Sequence, residues 1–187
     1  MEALRRRLAA EFPELNVFFN NAGISRPETL TPGERNSPVW RSILATNVAS
    51  VLHLNEVVLP TLAQNSSATI VVTTSGLVFV PRHTFPTYCA TKAFLHAWAQ
   101  SLCFQLRAVG IEVLELVPPY VQTELGGGRP LSDPDAMPLA DYVDEVMGIL
   151  ERGETPEGEI LVERVKALRF ADQTGTYAQT HALLNPN

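Results

Sequence analysis

Lysine is almost missing from this sequence, with only Lys92 and Lys166 in 187 residues. Cysteine is as scarce, at positions 89 and 103. Positive charge is outnumbered: 14 Lys+Arg face 20 Asp+Glu, for a net charge of −6 and a pI near 5.2. That balance excludes a broad nucleic-acid or anionic-membrane surface, and Arg5, Arg6 and Arg7 form too short a basic run to reverse it. Cys89 and Cys103 fall in one helical pattern, about 21 Å apart at helical rise, so they cannot bridge within a straight helix. They read as reduced thiols of a cytoplasmic protein. No apolar run is expected to span a membrane, the charged N-terminus lacks the apolar centre of a signal peptide, and no internal repeat is present. The histidines, at 53, 83, 96 and 181, are scattered, so no metal site is expected.

What is present suits one domain with its own core, since 45% of residues are hydrophobic. Residues 1–12 read as a helix, and "LNVFFN" (15–20) as a short buried strand running into "NAG". After a polar segment at 25–36, Ser37 offers an N-cap and Pro38 a first-turn proline for a helix over 38–63. "ATIVVTTS" (68–75) and "IEVLELV" (111–117) are β-branched or apolar strands, the second stopped by Pro118 and Pro119. Between them a helix spans 87–108. A Gly/Pro-rich loop at 124–137 is followed by a helix at 138–153 with Gly153 as its C-cap, a last strand at 158–163 and a C-terminal tail at 164–187, helical over 164–184. Strands alternating with helices predict an α/β layer around a parallel sheet. Ligands of such sheets bind at the carboxyl ends of the strands. Asn20, Asn21, Ala22 and Gly23, Ser75, and the segment 118–123 all fall there.

One spacing stands out. Tyr88, Lys92, Leu95, Ala99, Leu102 and Leu106 share a stripe of the helix at 87–108. An ammonium on an apolar stripe is costly unless paired or wetted. Either Lys92 snorkels from the helix N-terminus, or it tunes the neighbouring phenol. The opposite face, Ala90, Ala93, Phe94, Ala97, Ser101 and Phe104, is also apolar or small, with His96, Gln100 and Arg107 on a narrow polar strip. A helix apolar on two sides needs two neighbours: its sheet, and either the helix at 38–63 or a second subunit.

"NNAG" after the first strand, Asn47 in "LATNVASVLHL", Ser75 in "TTSGL" and Tyr88 with Lys92 in "YCATKAFL" occur in order, with 12 residues between Ser75 and Tyr88. Together with "LVPPYVQTEL" they resemble the short-chain dehydrogenase/reductase family over nearly the whole chain. The resemblance implies a Rossmann-like parallel sheet with flanking helices. It also implies hydride transfer between NAD or NADP and a small-molecule carbonyl or alcohol. Tyr88 would be the general acid/base, Lys92 would lower its pKa and hold the cofactor ribose, Ser75 would bond the substrate oxygen, and Asn47 would position water in a proton relay. Asn20, Asn21, Ala22, Gly23, Pro118, Val121 and Thr123 would line the cofactor. Read alone, Ser75 could end a strand, Asn47 could kink its helix or bond a carbonyl, and "NNAG" could be a turn.

The sequence departs from that family in two places. The family's first strand, glycine-rich turn and following strands have no counterpart before residue 15, so the expectation is a partial domain over residues 1–187. The strand at 15–20 would then be an unprotected edge and cofactor binding weak. A non-catalytic fragment that pairs with full-length subunits is the alternative to an enzyme. Pro119 stands where the family usually has glycine, and removes a backbone donor. "GGG" at 126–128 lacks a strand-turn-helix setting and reads as part of the substrate-side loop at 124–137, where Arg129 reads as solvated. Family habit makes the second neighbour of the 87–108 helix a partner subunit, predicting a homodimer through the helices at 38–63 and 87–108.

Overall fold

The run from Ala68 to Thr73 is apolar at every position but its threonines, the signature of a strand buried on both faces. The structure, a computed structural model, describes residues 1–33, 37–126 and 131–186. In it β2 (Ala68–Thr73) lies between β1 (Val17–Asn20) and β3 (Ile111–Leu116), and β4 (Glu159–Ile160) follows β3. All three pairings are parallel, with Val17 opposite Thr69, Ala68 opposite Ile111 and Glu115 opposite Glu159.

Alternation along the strands sorts two cores. Ile70, Val72 and Val113 face α3 (Ser50–Leu62) and α4 (Pro86–Leu106), packing with Val51, Leu62, Leu95 and Leu102. Val71, Leu114 and Leu116 face the other way, against Val146 and Ile149 of α5 (Leu139–Arg152) and Val165 of α6 (Glu163–Arg169). The outermost helices are α1 (Glu2–Glu11), which buries no residue fully, and α7 (Tyr177–Leu184).

Several expectations need correction. The helix expected at 38–63 is present and unbroken, but it is not α-helical throughout: α2 (Ser37–Leu44) passes through a π-turn, Ala45–Ala49, into α3. The helix starts at Ser37 itself, whose side chain lies outside the described residues, as does any cap it makes. By length and apolarity Pro38–Leu62 could cross a bilayer, contrary to the sequence reading. Its buried Asn47 and Asn55, however, spend their amides on neighbouring segments of this domain, so it serves as a core layer. The last strand shrinks to two residues because Gly158, at φ +79°, turns the chain in and α6 begins at Glu163. The tail is two short helices. The loop at 124–137 is partly pinned: Met137 N donates to Tyr120 O at 2.8 Å, and Gln122 N to Met137 O at 2.9 Å. Residues 127–130, which include Arg129 and two of the three glycines, lie outside the described residues.

Candidate active site

The site is assembled on the N-terminal turn of α4. Pro86 occupies its first position, where a missing N–H costs nothing. The turn is capped from a distance: Thr87 N and Oγ1 donate to Glu28 Oε2 and Oε1 at 3.0 and 2.9 Å. A buried carboxylate there satisfies orphan donors and complements the helix dipole. Tyr88 and Lys92 are consequently held inward, 6% and 3% exposed. Lys92 does not snorkel. Its Nζ donates to Thr73 O at 2.8 Å, at the carboxyl end of β2, and lies 5.8 Å from the centroid of the Tyr88 ring.

Ser75 lies two residues beyond the end of β2. Its Oγ accepts from Leu77 N at 3.2 Å, and the same hydroxyl lies on the Tyr88 side, where its influence favours the ionised phenol. Electrostatics here run against the expectation of a depressed phenol. Burial pushes Tyr88 up to about 12, only partly opposed by the nearby Ser75 hydroxyl, and burial brings Lys92 down to about 8. Desolvation dominates because both groups are enclosed by protein.

The asparagines are spent on the scaffold. Asn47, fully buried in the π-turn, accepts from Ile24 N at 2.8 Å and donates to Ile24 O and Thr91 Oγ1 at 3.0 and 3.1 Å. Both alternative readings of it, a distorted helix and a bonded carbonyl, are therefore present. π-Turns of this kind recur at functional sites. Asn20 exchanges amide hydrogen bonds with Asn55 of α3 at 3.0 and 3.4 Å, pinning β1 to the helix layer and leaving little for a ligand. Asn21, which accepts from Thr73 Oγ1 at 3.2 Å, and Ala22 are exposed. Gly23 sits between Asn47 and Lys92: a Cβ there would stand 3.5 Å from both Asn47 Oδ1 and Lys92 Nζ. On the other side of Ser75, Pro118 O accepts from Gly76 N at 2.9 Å, Val121 is buried and bridges to Met137, and Thr123 is half-buried. The strand ends therefore bring Asn47, Ser75, Tyr88, Lys92 and Gly23 to one rim, with the segment 118–123 as its second wall.

Sequence reasoning missed two features. Glu28 lay in a segment read only as polar, and nothing in its neighbours announced a partner 59 residues away. His96, Glu115 and Glu159 approach within 4.8 Å of one another, beside Arg169. The available signal was Glu115, a carboxylate at an inward position of an apolar strand. An open apolar cleft of about 390 Å³ also lies nearby, lined by Leu77, Pro81, Arg82, Cys89, Ala93 and His181, but it includes neither Ser75, Tyr88 nor Lys92.

Comparison with known proteins agrees with this geometry. The sequence profile of the family described as short chain dehydrogenase matches residues 1–131. The chain is 36% identical over 175 residues to the uncharacterized oxidoreductase DltE of Bacillus subtilis, covering 91% of this chain and 68% of that protein. It is 29% identical over 136 residues to an uncharacterized oxidoreductase of Staphylococcus epidermidis, but covers only 58% of it. The structure superposes on a short chain dehydrogenase from Burkholderia cenocepacia, solved with NADP, at a TM-score of 0.79 and 21% identity. That match takes in 98% of this chain and 73% of the other. A buried Ser–Tyr–Lys rim on a parallel sheet, the matched profile and the relative from Bacillus subtilis converge: this chain belongs to the short-chain dehydrogenase family.

Proposed function

We propose that this chain is an oxidoreductase that moves a hydride between NAD or NADP and a small carbonyl or alcohol. The observation that carries the reading is the buried grouping of Ser75, Tyr88 and Lys92, with Lys92 fastened to the end of β2. The bound nicotinamide would supply the hydride. Tyr88 gives its phenolic proton to the carbonyl oxygen as that oxygen gains charge, and takes it back in the reverse direction. Ser75 donates a hydrogen bond to the same oxygen, which stabilises developing alkoxide. Lys92, charged below about 8, favours the phenolate and has donors beyond the one on Thr73 O for ribose hydroxyls. Asn47 holds Ile24 and Thr91 in place around it, and its Oδ1 retains a lone pair for a relay water.

The nicotinamide end of the cofactor fits the residues present. Gly23 leaves open the space a side chain would fill next to Lys92, and Val121 and Thr123 are the residues of the segment 118–123 that would contact that end. Residues 1–16 carry no glycine and form α1 and its exit, so they provide no phosphate-cradling turn. The chain spans little more than two thirds of one curated relative and less of another, so affinity is the quantity to measure. Titration with NADPH and with NADH, followed by nicotinamide fluorescence, should saturate. No binding of either at millimolar concentration would leave the alternative, a non-catalytic chain that pairs with longer subunits.

The outer face of α4 supports a homodimer. Ala90, Ala93, Ala97 and Ser101 are exposed there, with Phe94 and Phe104 at 43% and 72% exposure and Leu44 of α2 at 41%. Large apolar groups clustered this way on a helix pair mark an association surface. Sedimentation should report a dimer that Phe104→Glu dissociates. Free Cys89 and Cys103 support a reducing, cytoplasmic setting.

A further inference from the structure

Behind the catalytic rim, on the helix side of β3, four charged or titratable side chains meet. His96 Nδ1 lies 2.7 Å from Glu115 Oε2, and Thr74 Oγ1 donates to Glu115 Oε1 at 2.6 Å. Glu159 pairs with Glu115 across β3 and β4, and Arg169 Nε lies 2.9 Å from both its oxygens. The guanidinium covers the Phe79 ring at 4.7 Å, and that ring meets His96 edge-on at 5.2 Å. Gln100 Nε2, 3.3 Å from His96 Nε2, completes its surroundings. Both carboxylates are more than nine-tenths buried. A divalent ion would find three ligands here, but Arg169 already occupies the cation's place.

The network adjoins the site through chain neighbours and through α6. Thr74 precedes Ser75, His96 stands one helical turn beyond Lys92, and Arg169 ends α6, whose Val165 and Leu168 press on Gly76 so closely that a Cβ there would meet them at 2.8 and 2.7 Å. Two buried carboxylates against one guanidinium leave one negative charge, which a proton on His96 neutralises. We propose that His96, Glu115, Glu159 and Arg169 form a positioning network for the Tyr88 site, with Glu115 fixing Thr74 and hence Ser75, and with the His96 proton closing the network. Carboxylate proximity raises His96, in the direction that keeps the proton. The purpose of the network rests on the oxidoreductase reading; its existence does not.

The test uses the intact chain labelled with ¹³C in the tyrosine ring carbon bearing the hydroxyl and in the histidine rings. Tyr88 is assigned by Tyr88→Phe. The Tyr88 signal should step at the pH where His96 titrates. Glu115→Gln should abolish the step and lower the His96 midpoint. Thr74→Val should keep the His96 titration but lose the step, and Thr74→Ser should restore it. A Tyr88 signal indifferent to His96, or a His96 midpoint unmoved by Glu115→Gln, would overturn the network. Where turnover is measured, Glu115→Gln should lower kcat about tenfold to a hundredfold at constant KM. A wild-type chain without turnover would refute the oxidoreductase reading alone, because the coupling is read without catalysis.

Discussion

Strands β1 and β2 are both short, apolar and parallel, yet they live in different environments. Every residue of β2 but one is buried, and both its faces are covered. In β1, Val17 and Phe19 are 44% and 49% exposed, and only Asn20 is buried. The difference is not propensity. β2 has a hydrogen-bonded neighbour on each side, whereas among the described residues β1 has one, and α1, which precedes it, buries nothing completely. A sequence pattern specifies that a strand wants burial; the presence of a partner decides whether it gets it. Ser75 and Lys92, two of the residues proposed for catalysis, sit at the carboxyl end of the well-covered strand.

The sharpest contrast is in activity. Tyr88→Phe removes the transferable proton while keeping the ring, so turnover should fall by roughly 10²- to 10⁴-fold with the melting temperature little changed. Phe19→Ser at the bare edge should leave kcat intact and improve solubility. Equal losses of turnover in the two variants, read by nicotinamide absorbance, would mean that the edge belongs to the catalytic machinery.

Stability should divide the same way. Leu95, 1% exposed between α4 and the sheet, should cost about 2–5 kcal/mol as Leu95→Ala, measured by urea denaturation. Phe19→Ser should lie within about 0.5 kcal/mol of wild type. A larger penalty at Phe19 would show that something covers β1 in solution.

Two glycines carry the contrast into the site. Gly76→Ala would drive a methyl to within 2.8 Å of Leu168 and Val165, which should destabilise by about 1–3 kcal/mol and move α6. Gly23→Ala meets its neighbours at 3.5 Å, ordinary contact, so it should fold normally and instead weaken NADPH binding by filling the space beside Lys92.

How much of this was legible beforehand depended on range. Helical spacing put Tyr88 and Lys92 on one inward stripe, and strand ends located the rim, because both are local properties of the chain. The sign of the Tyr88 shift was not legible: proximity of an amine is visible in sequence, but enclosure of the phenol by residues from distant segments is not, and enclosure prevailed. The π-turn was hidden for a similar reason, since Asn47 is paired to Ile24 and Thr91, 23 and 44 residues away. Glu28 and Glu115 were overlooked because a buried carboxylate looks like a solvated one until its partners are known.

The smallest effect tests the covered side alone. His96 is raised, chiefly by its hydrogen bond to Glu115, so its contribution to stability is complete below the unfolded value of about 6.5 and is lost as pH rises through the folded value. Glu159, raised by burial, acts in the same direction at lower pH, because the unfolded chain ionises it first. Lys92, brought down to about 8, acts oppositely above that pH, where the unfolded chain still holds its proton and folding gains as pH rises. Between about pH 6.5 and 8, then, the decline belongs to His96. His96→Gln, followed by thermal denaturation across that window, should flatten it. An undiminished slope in the variant would place the titrating group elsewhere and detach the Glu115 pair from the stability of the catalytic half.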